Sequence, residues 1–179
     1  FMSYVGIQSF LLGSMFAYIA ASPFIFQSFY GLSAFVFSLC FGANGAALVI
    51  GANIGGKLPN RKALAIGVFT FVMAALYTIA VLIIQPYWLF VEIGFFAMLL
   101  LMGITFPAIS SLAMESERQY AGSASALLGF TPFFLGGVVS PLVGIGNIFY
   151  STALVILACS VLALVIYWMV RHKIPNSAE

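Results

Sequence analysis

The sequence predicts an all-α, polytopic membrane protein of six transmembrane helices, arranged as two inverted three-helix repeats. Three observations carry this. The 179 residues are 64% hydrophobic and only 6% charged, whereas a water-soluble domain runs near 45–50% apolar and about 25% charged. The apolar residues fall in six uninterrupted stretches rather than in alternation, and lipid demands that each stretch satisfy its own backbone, which selects helices. The basic residues then fall only in alternate connections between those stretches.

The spans read, in order, as 2–22, 33–54, 62–84, 88–112, 121–143 and 147–170. Turn and breaker chemistry separates them. Ser22-Pro23 and Tyr30-Gly31 end the first, Gly55-Gly56 through Pro59-Asn60 the second, and Gln85-Pro86 the third. The polar run from Met114 to Gln119 ends the fourth, and Gly144 to Asn147 ends the fifth. Lys57, Arg61 and Lys62 lie between spans two and three, Arg118 between four and five, and Arg171 and Lys173 after six. All six therefore sit on one side, which the positive-inside rule makes cytoplasmic, with both chain ends inside. The chain opens in apolar sequence at Phe1-Met2 without a charged leader, which reads as a cut through a longer protein.

Composition also excludes chemistry. Ten charged residues are too few for a nucleic-acid-binding face. There is no aspartate, the one histidine is His172 in the polar tail, and Cys40 and Cys159 are isolated within apolar runs. No metal site or cofactor is expected from such a set. An intramembrane serine protease needs a base beside its serine, and His172 lies in the wrong place for that. The chain is therefore read as a non-enzyme.

Polar groups inside the spans are the functional candidates. Glu92 is the one acid within a span, about a turn from the outer end of the fourth. It reads either as a titrating carboxylate or counter-charge for a cationic ligand, or as a shallow side chain reaching the headgroups beside Tyr87 and Trp88. Asn44 near the middle of span two and Gln8 in span one carry amides that bind a ligand or a neighbouring helix. Met15 and Tyr18 lie on one stripe of span one, and Phe95, Phe96, Leu99 and Met102 on one of span four. Such stripes serve as core, and equally suit a pocket accepting many apolar shapes. The predicted substrate-binding set is Gln8, Met15, Tyr18, Asn44, Glu92, Phe96 and Leu99.

Spans three and six carry few polar groups beyond hydroxyls that bond back to their own helix. Spans one, two, four and five hold the amides, the acid and most glycines and prolines. That alternation is the two-fold repeat, and an odd number of spans per repeat inverts the second copy. In span five, Gly122/Ala126 and Ser125/Gly129 are small-residue pairs expected to pack helices closely, and Pro132 and Pro141 weaken it.

The run from Tyr18 through Ser22-Pro23 and Tyr30-Gly31 to Ser33, followed by Phe41-Gly42-Ala43-Asn44, resembles the seventh and eighth helices of bicyclomycin-resistance-type (Bcr/CflA) drug transporters. The run from Gly103 through Pro107 to Met114 and then Ala121 to Gly129 is similar to their later helices. Gly56 to Lys62 resembles the cytoplasmic gating motif of the major facilitator superfamily, with Asn60 where the motif's acid falls. The resemblance implies the C-terminal six-helix half of a twelve-helix fold in a bacterial inner membrane. It implies drug export by alternating access, protons as coupling ion, and a lipid bilayer and a missing N-terminal half as partners. It also places the main titrating acids in that missing half. The alternatives are a six-span chain acting as a homodimer and a structural or assembly subunit.

Overall fold

Hydropathy this high forces the backbone into helix, and the computed structural model, which describes residues 1–173, contains six long helices and no strand among those residues. They are α1 (Met2–Pro23), α2 (Ala34–Gly55), α3 (Asn60–Ile84), α4 (Trp88–Ser116), α5 (Ala121–Leu142) and α6 (Ile148–Val170). All six are long and apolar enough to cross a membrane. The polar stretch 174–179 lies outside the described residues.

Most boundaries match the sequence reading within two residues; two do not. Pro23 does not end the first helix, which continues as π-helical turns over Phe24–Phe29. Proline removes the N–H that the Ile19 carbonyl would accept. The Ser22 hydroxyl donates to that carbonyl at 3.4 Å instead, and wider turns absorb the misfit. The chain turns only at Gly31, whose φ of +70° favours glycine. The fourth helix runs on to Ser116, four residues beyond its apolar stretch, and ends where the Ser116 hydroxyl donates to the Ala113 carbonyl at 2.8 Å.

Local chemistry sets the other ends. The Ser33 hydroxyl accepts from the Val36 N–H at the start of α2, and the Asn147 side-chain Oδ1 accepts from the Phe149 and Tyr150 N–H groups at the start of α6. Gln85 closes α3 in the left-handed region, and Pro86 prevents continuation. The Tyr30 hydroxyl donates to the Pro86 carbonyl at 2.7 Å, tying the end of the first span to the α3–α4 connection. Burial there raises the Tyr30 phenol above its ordinary pKa.

The packing bears out the inverted repeat. The principal contacts are α2 on α4, α3 on α4, α1 on α5, α1 on α6 and α3 on α6. Exchanging α1 with α4, α2 with α5 and α3 with α6 maps this set onto itself. Burial follows the same rhythm: the first helix of each triplet is the most enclosed, the second the least, the third intermediate.

Close helix approaches arise at glycines, though not where span five led us to expect them. Gly51 and Gly55 of α2 press on the backbone of α4 at Leu100 and Ile104, and Gly103 presses back on Leu48 and Ala52. Gly67 and Gly94 seat against Thr105 and Thr78 where α3 crosses α4. In α5, Gly136 receives the Phe16 ring, but a Cβ added at Gly122 or Gly129 would meet nothing within 4 Å. The small-residue pairs of α5 therefore do not pack against this chain. Most hydroxyls bond back as expected, Thr78 to Ala74 at 2.8 Å and Thr70 to Ile66 at 2.6 Å.

Candidate functional site

Three of the seven predicted site residues meet. The Asn44 amide of α2 donates to the Tyr18 hydroxyl of α1 at 2.9 Å and to a Glu92 carboxylate oxygen of α4 at 3.3 Å. Asn44 is wholly buried, and Tyr18 and Glu92 are 2% and 7% exposed. Glu92 stands one turn from the start of α4, yet its partner is the eleventh of the 22 residues of α2. The axial offset of the two helices explains this, because α4 begins deeper than α2.

The polar trio is incompletely satisfied. Glu92 Oε1 and Asn44 Oδ1 are buried and have no hydrogen-bond partner. Buried polar atoms are overwhelmingly paired in folded proteins, and in hydrocarbon an unpaired one is costly. The basic residues lie in the connections and at helix ends, Arg61 and Lys62 in the first turn of α3, so among the described residues none stands at the level of this carboxyl.

Five aromatic rings enclose this end of the trio in a closed circuit. Tyr18 stacks on Phe41 at 5.8 Å between centroids, Phe41 meets Phe37 at 6.0 Å, and Phe37 meets Phe26 at 6.3 Å. Phe26 meets Phe95 edge-on at 6.2 Å, and Phe95 returns to Tyr18 at 4.7 Å. The rings come from α1, the π-helical turns, α2 and α4. Phe41, at 41% exposed, is the open member of the circuit.

The remaining predicted residues stand apart. Gln8 lies ten residues before Tyr18 on α1, about 15 Å along the axis, and its side-chain oxygen is buried without a partner. Met15 and Phe96 are half-buried, and Leu99 belongs to the core. The sequence reading missed Phe26, Phe37 and Phe41. Phe37 and Phe41 stand one helical turn apart, a signal that was available, but Phe26 joins only because the helix continues past Pro23. On α4 the ring at the site is Phe95, while Phe96, one position on, points to a different face. A separate cavity of about 620 Å³ at the end of the bundle where α3 ends and α6 begins, lined by Phe24, Ser28, Phe29, Gln85, Asn147 and Phe149, contains none of the predicted residues.

A bundle of this topology, with the α4 carboxyl of Glu92 buried against Asn44 of α2, defines a multi-pass membrane protein of two inverted repeats, consistent with half of a major facilitator fold. The chain is 38% identical over 151 residues, 82% of its length, to an MFS-type transporter of Bacillus subtilis named YdgK. It is 27% identical over 96% of its length to a bicyclomycin resistance protein homologue of Haemophilus influenzae. No family model matches it. The chain covers 38% and 45% of those two proteins' lengths, so it spans less than half of either. These likenesses bear out the resemblance to major facilitator superfamily transporters of the bicyclomycin-resistance type. The relatives are named for transport and resistance, not for an enzymatic reaction.

Proposed function

We propose that this chain is the C-terminal six-helix half of a bacterial inner-membrane transporter that exports small amphipathic compounds by alternating access, in antiport with protons. The observation that carries this reading is Glu92, a carboxyl buried deep in the bundle, held by Asn44 and lacking any internal counter-ion. An ionisable group within a membrane span and without a facing cation marks an ion or proton pathway, which suits a site that works during each cycle. Gln8, Met15, Tyr18, Asn44, Glu92, Phe96 and Leu99 line this half of the pathway in that reading.

The exposed faces of α2 and α5 support a partner half. Phe35, Leu39 and Val49 on α2, and Phe130, Phe134 and Val138 on α5, are exposed within this chain. Symmetry leaves the second helix of each triplet least covered by its own half, so another six-helix body fits against both. A second copy of the chain is the alternative occupant.

The full-length protein in proteoliposomes tests the reading. Wild type should release protons as substrate is taken up against an imposed gradient, and Glu92→Gln should retain membrane insertion while losing the proton flux. Full proton coupling in the variant would remove Glu92 from the mechanism. Assembly as a dimer of six-span chains in a native gel would replace the two-half reading with the homodimer.

A further inference from the structure

The edge of the bundle where α3 meets α6 carries a cleft that the transport pathway does not use. Packing runs in the order α2, α4, α3, α6, α1, α5, so this edge faces away from the open α2 and α5 surfaces and into lipid. Phe69 of α3 meets Tyr167 of α6 edge-on, with ring centroids 5.6 Å apart. Beside that contact lies a cleft of about 340 Å³ lined by Phe69, Leu164, Val165, Trp168 and Met169. We infer that this cleft binds one phospholipid of the cytoplasmic leaflet bearing an anionic headgroup, with an acyl chain in the cleft and the phosphate against Arg171 and Lys62.

The start of α3 and the end of α6 lie on the basic side of the bundle, which the positive-inside rule makes cytoplasmic. The Arg171 guanidinium lies over the Trp168 ring, 4.5 Å from its centroid. A residue that walls the cleft therefore also holds a cation at its mouth. Arg171 makes no salt bridge among the described residues, and Glu115 at the same end pairs with Arg118 instead. The guanidinium donors are left for a phosphate, which they match with paired hydrogen bonds. Lys62 is exposed and shares a face of α3 with Ile66, Phe69 and Met73. It stands two turns before Phe69, about 10 Å nearer the cytoplasm, and Arg171 stands about 6 Å beyond Tyr167 in the same direction. Two cations from two helices thus flank one apolar cleft at headgroup height.

This combination decides the occupant. A free phosphate would satisfy the cations and leave the cleft empty of apolar contact. A neutral lipid would fill the cleft and leave both cations without a counter-charge. A zwitterionic lipid brings its own ammonium towards two cations, whereas an anionic one gains from each Lys or Arg near the membrane surface. Snorkelling alone would place Arg171 among headgroups of any kind, but Trp168 fixes it over a cleft of acyl-chain character.

The experiment titrates the purified full-length protein in detergent with phosphatidylglycerol or phosphatidylcholine of matched acyl chains and measures retained lipid by native mass spectrometry. Wild type should prefer phosphatidylglycerol about tenfold, the effect of two cations near the surface. Arg171→Gln should weaken phosphatidylglycerol binding about fivefold, Lys62→Gln should act in the same direction, and Arg171→Lys should recover part of the loss. Val165→Trp, at an exposed position of the cleft wall, should displace the lipid with both cations in place. Arg118→Gln, outside the cleft, should bind within about twofold of wild type. Equal phosphatidylglycerol binding by Arg171→Gln and wild type would overturn the site, and so would equal retention of phosphatidylcholine. A loss in Arg118→Gln as large as in Arg171→Gln would replace the site with diffuse attraction to the whole basic face. Displacement of the lipid by inorganic phosphate alone would show that the cleft contributes nothing. None of these measurements reads transport, so the function proposed above stands or falls separately.

Discussion

Gly51 of α2 lies so close to the Leu100 carbonyl of α4 that a Cβ placed on it would overlap that oxygen. This contact, with Gly55 against Ile104 and Gly103 against Leu48, brings the two helices near enough for the Asn44 amide to reach Glu92. A backbone approach about two turns long thus sets the partner of Glu92, the one buried acid among the described residues.

Gly51→Ala should therefore separate α2 from α4, costing about 1–3 kcal/mol as an overpacked interface does. Gly129→Ala, where nothing lies within 4 Å in this chain, should leave these helices undisturbed. Unfolding titrations in mixed micelles check both. Equal stability of Gly51→Ala and wild type would show that the approach relaxes freely.

Tyr18→Phe keeps the ring circuit and removes one acceptor from Asn44. The expected loss is about 1 kcal/mol, the net value of an ordinary hydrogen bond. Asn44→Leu is expected to cost more, since it leaves Glu92 with no hydrogen-bond partner in the site. If the two variants lose the same stability, Glu92 draws nothing from Asn44.

Asn147→Ala removes the side-chain acceptor that holds the N–H groups of the second and third residues of α6. Loss of such a cap costs about 1 kcal/mol, and hydrogen exchange should accelerate at Phe149 and Tyr150 before it changes deeper in the helix. Unchanged exchange at those two amides would mean that solvent or headgroups already serve them.

The Arg118–Glu115 pair, 3.4 Å apart, should prove nearly silent. Its side chains are 79% and 52% exposed, and exposed pairs are worth below about 1 kcal/mol. Glu115→Gln should shift the unfolding midpoint little at low salt and not at all at high salt. A large shift would point to a role for Glu115 in another contact.

Much of the fold was legible because its causes are local. A run of some twenty apolar residues becomes a helix wherever lipid surrounds it, and the prolines, glycines and polar clusters between runs mark the turns. Pro23 misled because its effect depends on repair: the Ser22 hydroxyl serves the freed carbonyl, and the helix survives as π turns. The α5 glycines misled for the opposite reason, since small residues permit close packing without saying against what. Tyr18, Asn44 and Glu92 were each identifiable as costly or unusual groups in an apolar run. That they converge was not.

The sequence by itself determined six membrane helices, the placement of the basic residues in alternate connections and after the sixth span, and the two-fold alternation of polar and bland spans. Each follows from hydropathy and spacing within a single segment. Only the tertiary structure decided that α4 begins deeper than α2, that Glu92 therefore meets Asn44, and that Phe26, Phe37, Phe41, Phe95 and Tyr18 close one circuit. Those relationships depend on the axial offset and rotation of neighbouring helices. Glycine contacts between distant segments set both, and no single span encodes them.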